Sequence, residues 1–165
     1  MKEKKKISNL IQEPFCSVEI SKLLKKKGFD CQCDMLHIGK EKHNIHRNLF
    51  KECYGIHICT NSQIQEYSNE YGFKNYLKGK EIITIPTHAL AIEWIRINFG
   101  YHINTMYMGA ELKYSWSIDV ISTADSGWTS FGPTEEEEKD VALRKNSSQE
   151  SVEFALKYAL TELIK

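Results

Sequence analysis

The amino-acid sequence predicts an α+β fold: an antiparallel sheet of three to five strands with a central and a C-terminal helix packed on one face. Three stretches carry this prediction. Across residues 82–107 a β-branched run (Ile82, Ile83, Thr84, Ile85) meets Pro86 and Thr87, a residue type that caps helix starts. Leu90, Ala91, Trp94, Ile95 and Ile97 follow at helical spacing, Gly100 supplies a stop, and Tyr101, Ile103, Thr105 and Tyr107 then alternate as a strand. Residues 113–122 alternate cleanly, with Tyr114, Trp116, Ile118 and Val120 on one side and Ser115, Ser117 and Asp119 on the other, as in a half-buried antiparallel strand. Near the end of the chain Val152, Ala155, Leu156, Ala159, Leu160, Leu163 and Ile164 form one apolar helix stripe, which must be buried on a sheet face.

Taken in order, the 165 residues read as a single domain. Residues 1–14 are a loose basic arm containing KEKKK. A helix is expected at 17–27, capped by Ser17, with Glu19 in its first turn and Lys25, Lys26 and Lys27 in its last. Gly28 fits the left-handed position after it, and Phe29 can fold back onto Leu24. Residues 31–38 alternate loosely as a strand, 39–48 are polar and read as a turn, and 54–60 are β-like, pairing with the preceding strand. Ile64, Tyr67 and Tyr71 have helical spacing within 61–73, and 74–81 is connector. After the central helix come strands at 101–108 and 113–122, joined by a turn at Gly109, Ala110 and Glu111. Asp125, Ser126 and Gly127 signal another turn before a third strand at 128–131. Residues 133–146, with the acidic run 135–138, form a surface excursion. Ser147 and Glu150 then make a capping box for the last helix.

Composition narrows the function classes. Basic and acidic residues balance at 22 each, so the chain lacks the net positive charge that displaces counterions from a nucleic acid. No continuous apolar stretch is long enough for a membrane span, and the lysine-rich start is not followed by a signal-peptide core. Five cysteines, an odd number, fit reduced thiols in a cytoplasmic protein.

The densest chemistry-bearing cluster is Cys31, Cys33, His37, His43, His46, Cys53, His57 and Cys59. Thiolate and imidazole are zinc ligands, and Cys31, Cys33, His57 and Cys59 are the quartet that a hairpin would gather. The spacing lacks a Cys-x-x-Cys knuckle, and the competing reading is buried cysteines behaving as small hydrophobes, with no cofactor. Cys53 and His57 are spaced as a nucleophile and base without a protease signature around them. Cys16 precedes a helix start, where a thiolate is favoured. Thr87 and His88 open the central helix, where backbone amides can meet an anion. No phosphate-loop or dinucleotide fingerprint is present, and Asp119 and Asp125 lack a partner pattern for acid–base work. Tyr101, Tyr107, Tyr114, Trp116 and Trp128 concentrate on the small sheet. They either fill the core or form a patch suited to protein contact or base stacking. A small-ligand pocket would draw on Thr87, His88, Tyr107, Tyr114 and Trp116.

Three stretches, SKLLKKKGFD (21–30), IPTHALAIEWIRINFGYHI (85–103) and SSQESVEFALKYALTELI (147–164), together resemble a family of uncharacterised small proteins encoded by phages and prophages of Bacteroidetes-type bacteria. The resemblance implies a compact α+β accessory protein of a mobile element, working in the cytoplasm of a bacterial host, and brings no catalytic residues. Residues and resemblance together lead to a non-enzymatic protein that acts by binding a host protein, a phage protein or a second copy of itself as a homo-oligomer. The alternatives are a protein that binds or sequesters a nucleotide signal, and a zinc-stapled interaction module.

Overall fold

Helix α1 (Val18–Lys26) starts and stops on local chemistry. The Ser17 hydroxyl accepts a hydrogen bond from the Ile20 amide at 3.3 Å. At the other end Gly28, at φ 90°, lets its own amide reach the Lys25 carbonyl (3.1 Å) and the Phe29 amide reach Leu24 (3.0 Å). This is the double bond of a Schellman ending, and it seats the buried Phe29 against Leu24 as expected. The computed structural model describes residues 14–39, 41–44, 59–70, 81–108, 113–121, 127–133 and 147–165. The remaining elements are β1 (Met35–Ile38), β2 (Glu41–Asn44), α2 (Asn61–Glu70), β3 (Ile82–Thr84), α3 (His88–Phe99), β4 (Tyr101–Met108), β5 (Lys113–Ile121), β6 (Trp128–Phe131) and α4 (Ser148–Tyr158). The last helix continues as a π-helical turn through Ala159–Leu163.

The fold is α+β. Its larger sheet has the order β4-β5-β6, all antiparallel, with Ile103 opposite Ile118, Tyr107 opposite Tyr114, and Ile118 opposite Phe131. The central helix α3 and the C-terminal helix α4 cover one face of it. Ile103, Trp116 and Ile118 are buried against Ala91 and Ile95 of α3 and against Val152, Ala155 and Leu156 of α4. Leu160 and Ile164 extend the same buried stripe, as the periodicity requires. Ile97, grouped at sequence level with the apolar side of α3, is instead 67% exposed. It lies two residues beyond the buried Ile95, turned away from the sheet.

A second sheet accompanies the expected one. Its order is β2-β1-β3, again antiparallel. The polar stretch at 39–48, read as a turn, contains β2: Gly39, at φ 64°, reverses the chain so that Ile38 pairs with Glu41 and Met35 with Asn44. The strand forms through backbone pairing with β1, so its sequence shows no alternation. Leu36, Ile38, Ile83 and Ile85 are buried in this smaller sheet. Its last ladder bond runs from the Ile85 amide to the Met35 carbonyl at 2.9 Å, and Pro86, having no N–H, ends β3 before α3.

Helix α1 docks the two halves together. It runs parallel to α4: the Ser17 amide meets Glu153, Lys157 pairs with Glu19 at 2.7 Å, and the Lys27 ammonium reaches the Ile164 carbonyl. At its C-terminal end Lys25 donates to the Ile82 carbonyl of β3 (3.1 Å). Asn61, 8% exposed, donates to the Phe29 carbonyl and accepts from the Thr84 amide, both at 3.1 Å. Its two-sided bonding joins the end of α1 to β3. The basic arm expected over 1–14 is described only at Pro14, whose carbonyl accepts from the His88 amide. The strand expected before Cys59, the turn at 109–111, Asp125 and the acidic excursion after Pro133 lie outside the described residues.

Candidate functional site

Two loops that precede helices run side by side. Phe15 bridges Thr87, with the Cys16 amide bonded to the Pro86 carbonyl and the His88 amide to the Pro14 carbonyl, both at 2.9 Å. This short pairing sets the entries to α1 and α3 next to each other, so the amide ends of both helices face one region. Helix α4 crosses there and supplies Glu153. Its Oε1 accepts from the Ser17 amide at 2.7 Å and lies 2.9 Å from His88 Nε2. The Cys16 thiol completes the group. One donor atom from each of Cys16, His88 and Glu153 lies within 4.8 Å of the other two.

Burial and charge decide what the cluster can do. Cys16 is 0% exposed and His88 5%, while the Glu153 side chain keeps 26% of its surface. Burial disfavours the ionised carboxyl, but the hydrogen bonds from His88 and Ser17 outweigh it and hold Glu153 below its ordinary value of 4.5. Two helix N-termini add positive potential at the same place. The order thiol, imidazole, carboxylate is also that of a nucleophile, its base and an orienting group. A nucleophile must be reached by its substrate, however, and Cys16 has no exposed surface.

The sequence-level candidates separate into three places. Thr87 caps α3, its hydroxyl taken by the Leu90 amide at 3.2 Å. The first amides of α3 are taken by the protein itself, His88 by the Pro14 carbonyl and Leu90 by the Thr87 hydroxyl, while the His88 ring is turned to the Glu153 carboxylate. A cavity of about 260 Å³ beside Thr87 is lined by Cys33, Asp34, Pro86 and Leu90, among others, and by none of the sheet aromatics.

By register Tyr101, Tyr107, Tyr114 and Trp116 share the helix-covered face, whereas Trp128 pairs with Ile121, out of step with them. Trp116 lies under α4, with ring centroids 5.6 Å from Phe154 and 5.2 Å from Tyr158. Next along β5 on that face is Tyr114, 5.2 Å from Tyr107. Tyr101 packs against the core. Tyr107 is 53% exposed and Phe154 44%, so the strip emerges from beneath α4 into solvent. The opposite face carries a polar group, with Asp119 accepting from Asn104 (2.7 Å) and Ser130 (2.6 Å), and the 48% exposed Met106 further along β4.

Of the cysteine–histidine quartet, Cys33 and Cys59 sit directly opposite one another and exchange both backbone hydrogen bonds, at 2.9 and 3.0 Å. Both are buried, and burial pushes each thiol up to about 12. Cys31 is half-buried, with its carbonyl 3.6 Å from the Cys33 sulfur. His57 lies outside the described residues, as do His43, His46 and Cys53 as side chains. Sequence reasoning named Cys16 and His88 separately and missed Glu153. The available hint was one acidic residue lodged between Val152 and Ala155 of the buried stripe. Comparison with family models, with curated proteins and with solved structures finds no match to this chain.

Proposed function

We propose that this protein acts by binding another protein, as a non-enzymatic cytoplasmic accessory factor of a phage or prophage. The contact is made by the aromatic strip of Tyr107, Tyr114 and Phe154. One observation carries the reading: beside the covered Trp116, Tyr107 and Tyr114 lie with ring centroids 5.2 Å apart and Phe154 lies 5.6 Å from Trp116, with Tyr107 53% and Phe154 44% exposed. Rings with two rotatable angles bury much area for little lost entropy, and they are enriched at protein contacts. The balanced charge of 22 basic and 22 acidic residues leaves no strong self-repulsion, so a second copy is among the partners that can dock.

Light scattering on the size-exclusion peak, followed by capture from host lysate, tests this. The expected result is an oligomer or a retained partner that is lost in Tyr107→Ala/Tyr114→Ala while the melting temperature is unchanged. A chain that stays monomeric and retains nothing, or a contact that survives the double substitution, counts against it.

The alternative of a bound nucleotide signal has one feature in its favour, the cavity beside the Thr87 cap. Its lining includes the acidic Asp34 and no basic residue, which suits a phosphate poorly and favours the protein-contact reading. Thermal shift against a panel of cyclic nucleotides and ADP-ribose separates the two, because a tight ligand raises the melting temperature by mass action.

A further inference from the structure

The geometry points to a zinc site that is separate from the aromatic strip: Cys16, His88 and Glu153 form a three-ligand cradle for one divalent zinc ion. The donor set is the first ground. A sulfur, an imidazole nitrogen and a carboxylate oxygen suit zinc, whereas calcium and magnesium need six or more oxygens and monovalent copper favours all-soft ligands. Size is the second. With zinc–ligand bonds of about 2.0–2.3 Å, the edges of a tetrahedron are roughly 3.3–3.6 Å. The three donor atoms already lie within 4.8 Å of one another, and the imidazole and carboxylate are 2.9 Å apart, close to the spacing of ligands around one zinc ion.

Preorganisation is the third ground. Cys16 and His88 stand on backbones locked together by the two 2.9 Å bonds across Phe15 and Thr87, and Glu153 is held from the other side by the Ser17 amide. The ligands therefore come from three elements that are distant in sequence, which is how a metal staples a fold. Thiolate and carboxylate supply two negative charges against the two positive charges of the ion. The Ser17 amide at the start of α1 favours the carboxylate, and the 3.9 Å hydrogen bond from the Cys16 thiol to the Thr87 carbonyl is given up when the thiol proton leaves.

Binding releases the thiol proton to solvent, the imidazole coordinates as the neutral ring, and no bond is made or broken in another molecule. A water molecule or the second carboxylate oxygen would be the fourth ligand, at a site whose Glu153 side chain keeps 26% of its surface. Because Cys16 and His88 are closed to solvent, the role is structural, and no substrate is turned over there.

The test uses the full chain, stripped with a chelator and titrated with cobalt and then zinc. Expected are one equivalent of cobalt bound with a thiolate-to-metal charge-transfer band, tetrahedral ligand-field absorption, and displacement by zinc. Cys16→Ser should abolish the charge-transfer band, and Glu153→Gln should weaken zinc binding by about tenfold or more. Cys33→Ala/Cys59→Ala should leave both unchanged. Far-UV circular dichroism checks that each variant is folded. X-ray absorption at the zinc edge of the unaltered chain gives a readout that needs no variant, with one sulfur expected per zinc. Absence of the band, a band that persists in Cys16→Ser, or two or more sulfurs around the ion would each overturn the assignment.

Discussion

At the scale of single residues, Glu153 and the Cys33–Cys59 pair make the sharpest predictions. The Glu153 oxygen takes one bond from a backbone amide and another from an imidazole, and bonds to an ionised acceptor contribute more than neutral ones. Glu153→Gln keeps the shape and removes the charge. In metal-free protein it should cost about 1–2 kcal/mol, or a drop of roughly 2–8 °C in melting temperature. Scanning calorimetry measures this, and an unchanged midpoint would show that the cluster adds nothing to the fold. The cysteines predict a loss of stability in alkali. In the unfolded chain their thiols ionise near the ordinary value of 9.0, and in the folded chain only near about 12. Between those values the folded state binds more protons, so stability is complete below pH 9 and falls as the pH rises toward 12. Denaturant midpoints measured from pH 8 upward should decline less steeply in Cys33→Ala/Cys59→Ala than in the unaltered chain. At pH 8 neither thiol should react with iodoacetamide as fast as half-buried Cys31.

At the scale of elements, legibility tracks how local the determining chemistry is. Helix α1 was readable to within a residue because Ser17, Gly28 and Phe29 act within a turn of themselves, and α3 because Thr87 and Gly100 do the same. The strands at 101–108 and 128–131 were readable from alternation and turn residues. Strand β2 was not, since Glu41–Asn44 has no apolar face and exists by pairing with β1. The start of α2 was legible in principle and overlooked. Thr60 and Gln63 form a reciprocal capping box, with the Gln63 backbone amide donating to the Thr60 hydroxyl at 3.2 Å and the Thr60 backbone amide donating to the Gln63 side-chain Oε1 at 3.0 Å. Cys16 and His88 were readable singly, but their meeting with Glu153 was not, because residues 16, 88 and 153 come together only through the pairing of two loops and the crossing of a helix. Local determination is itself testable at Gly28. A β-carbon there would meet nothing within 4 Å, so any penalty comes from the positive φ alone. Gly28→Ala should cost about 1 kcal/mol and Gly28→Asn visibly less, since asparagine tolerates the left-handed region. Equal losses by chemical denaturation would mean that contacts, and not backbone conformation, set the residue.

At the scale of the whole molecule, the core is unevenly shared. Side chains from α1, α3, α4, β4 and β5 meet in one cluster, from Cys16 and Leu24 to Ile118 and Leu160. The smaller sheet has strands of three and four residues against eight and nine for β4 and β5, and its Leu36, Ile83 and Ile85 lie outside that cluster. It is fastened by Asn61, the Lys25 bond to Ile82 and the backbone pairing of Cys33 with Cys59, while surface pairs such as Lys22 with Glu81 add little. Short strands with few shared side chains open at lower free energy than the main core. Native-state hydrogen exchange should therefore show the amides of β1 and β3 exchanging through a partial opening, and those of β4 and β5 only through global unfolding. Leu156→Ala, in the shared cluster, should lower the global free energy by about 2–5 kcal/mol and carry both sheets down with it. Leu36→Ala should deepen the partial opening of the smaller sheet first, leaving β4 and β5 the last to exchange. Identical protection in the two sheets would mean that α1 couples them into one cooperative unit, and the division into a main core and an attached sheet would fail.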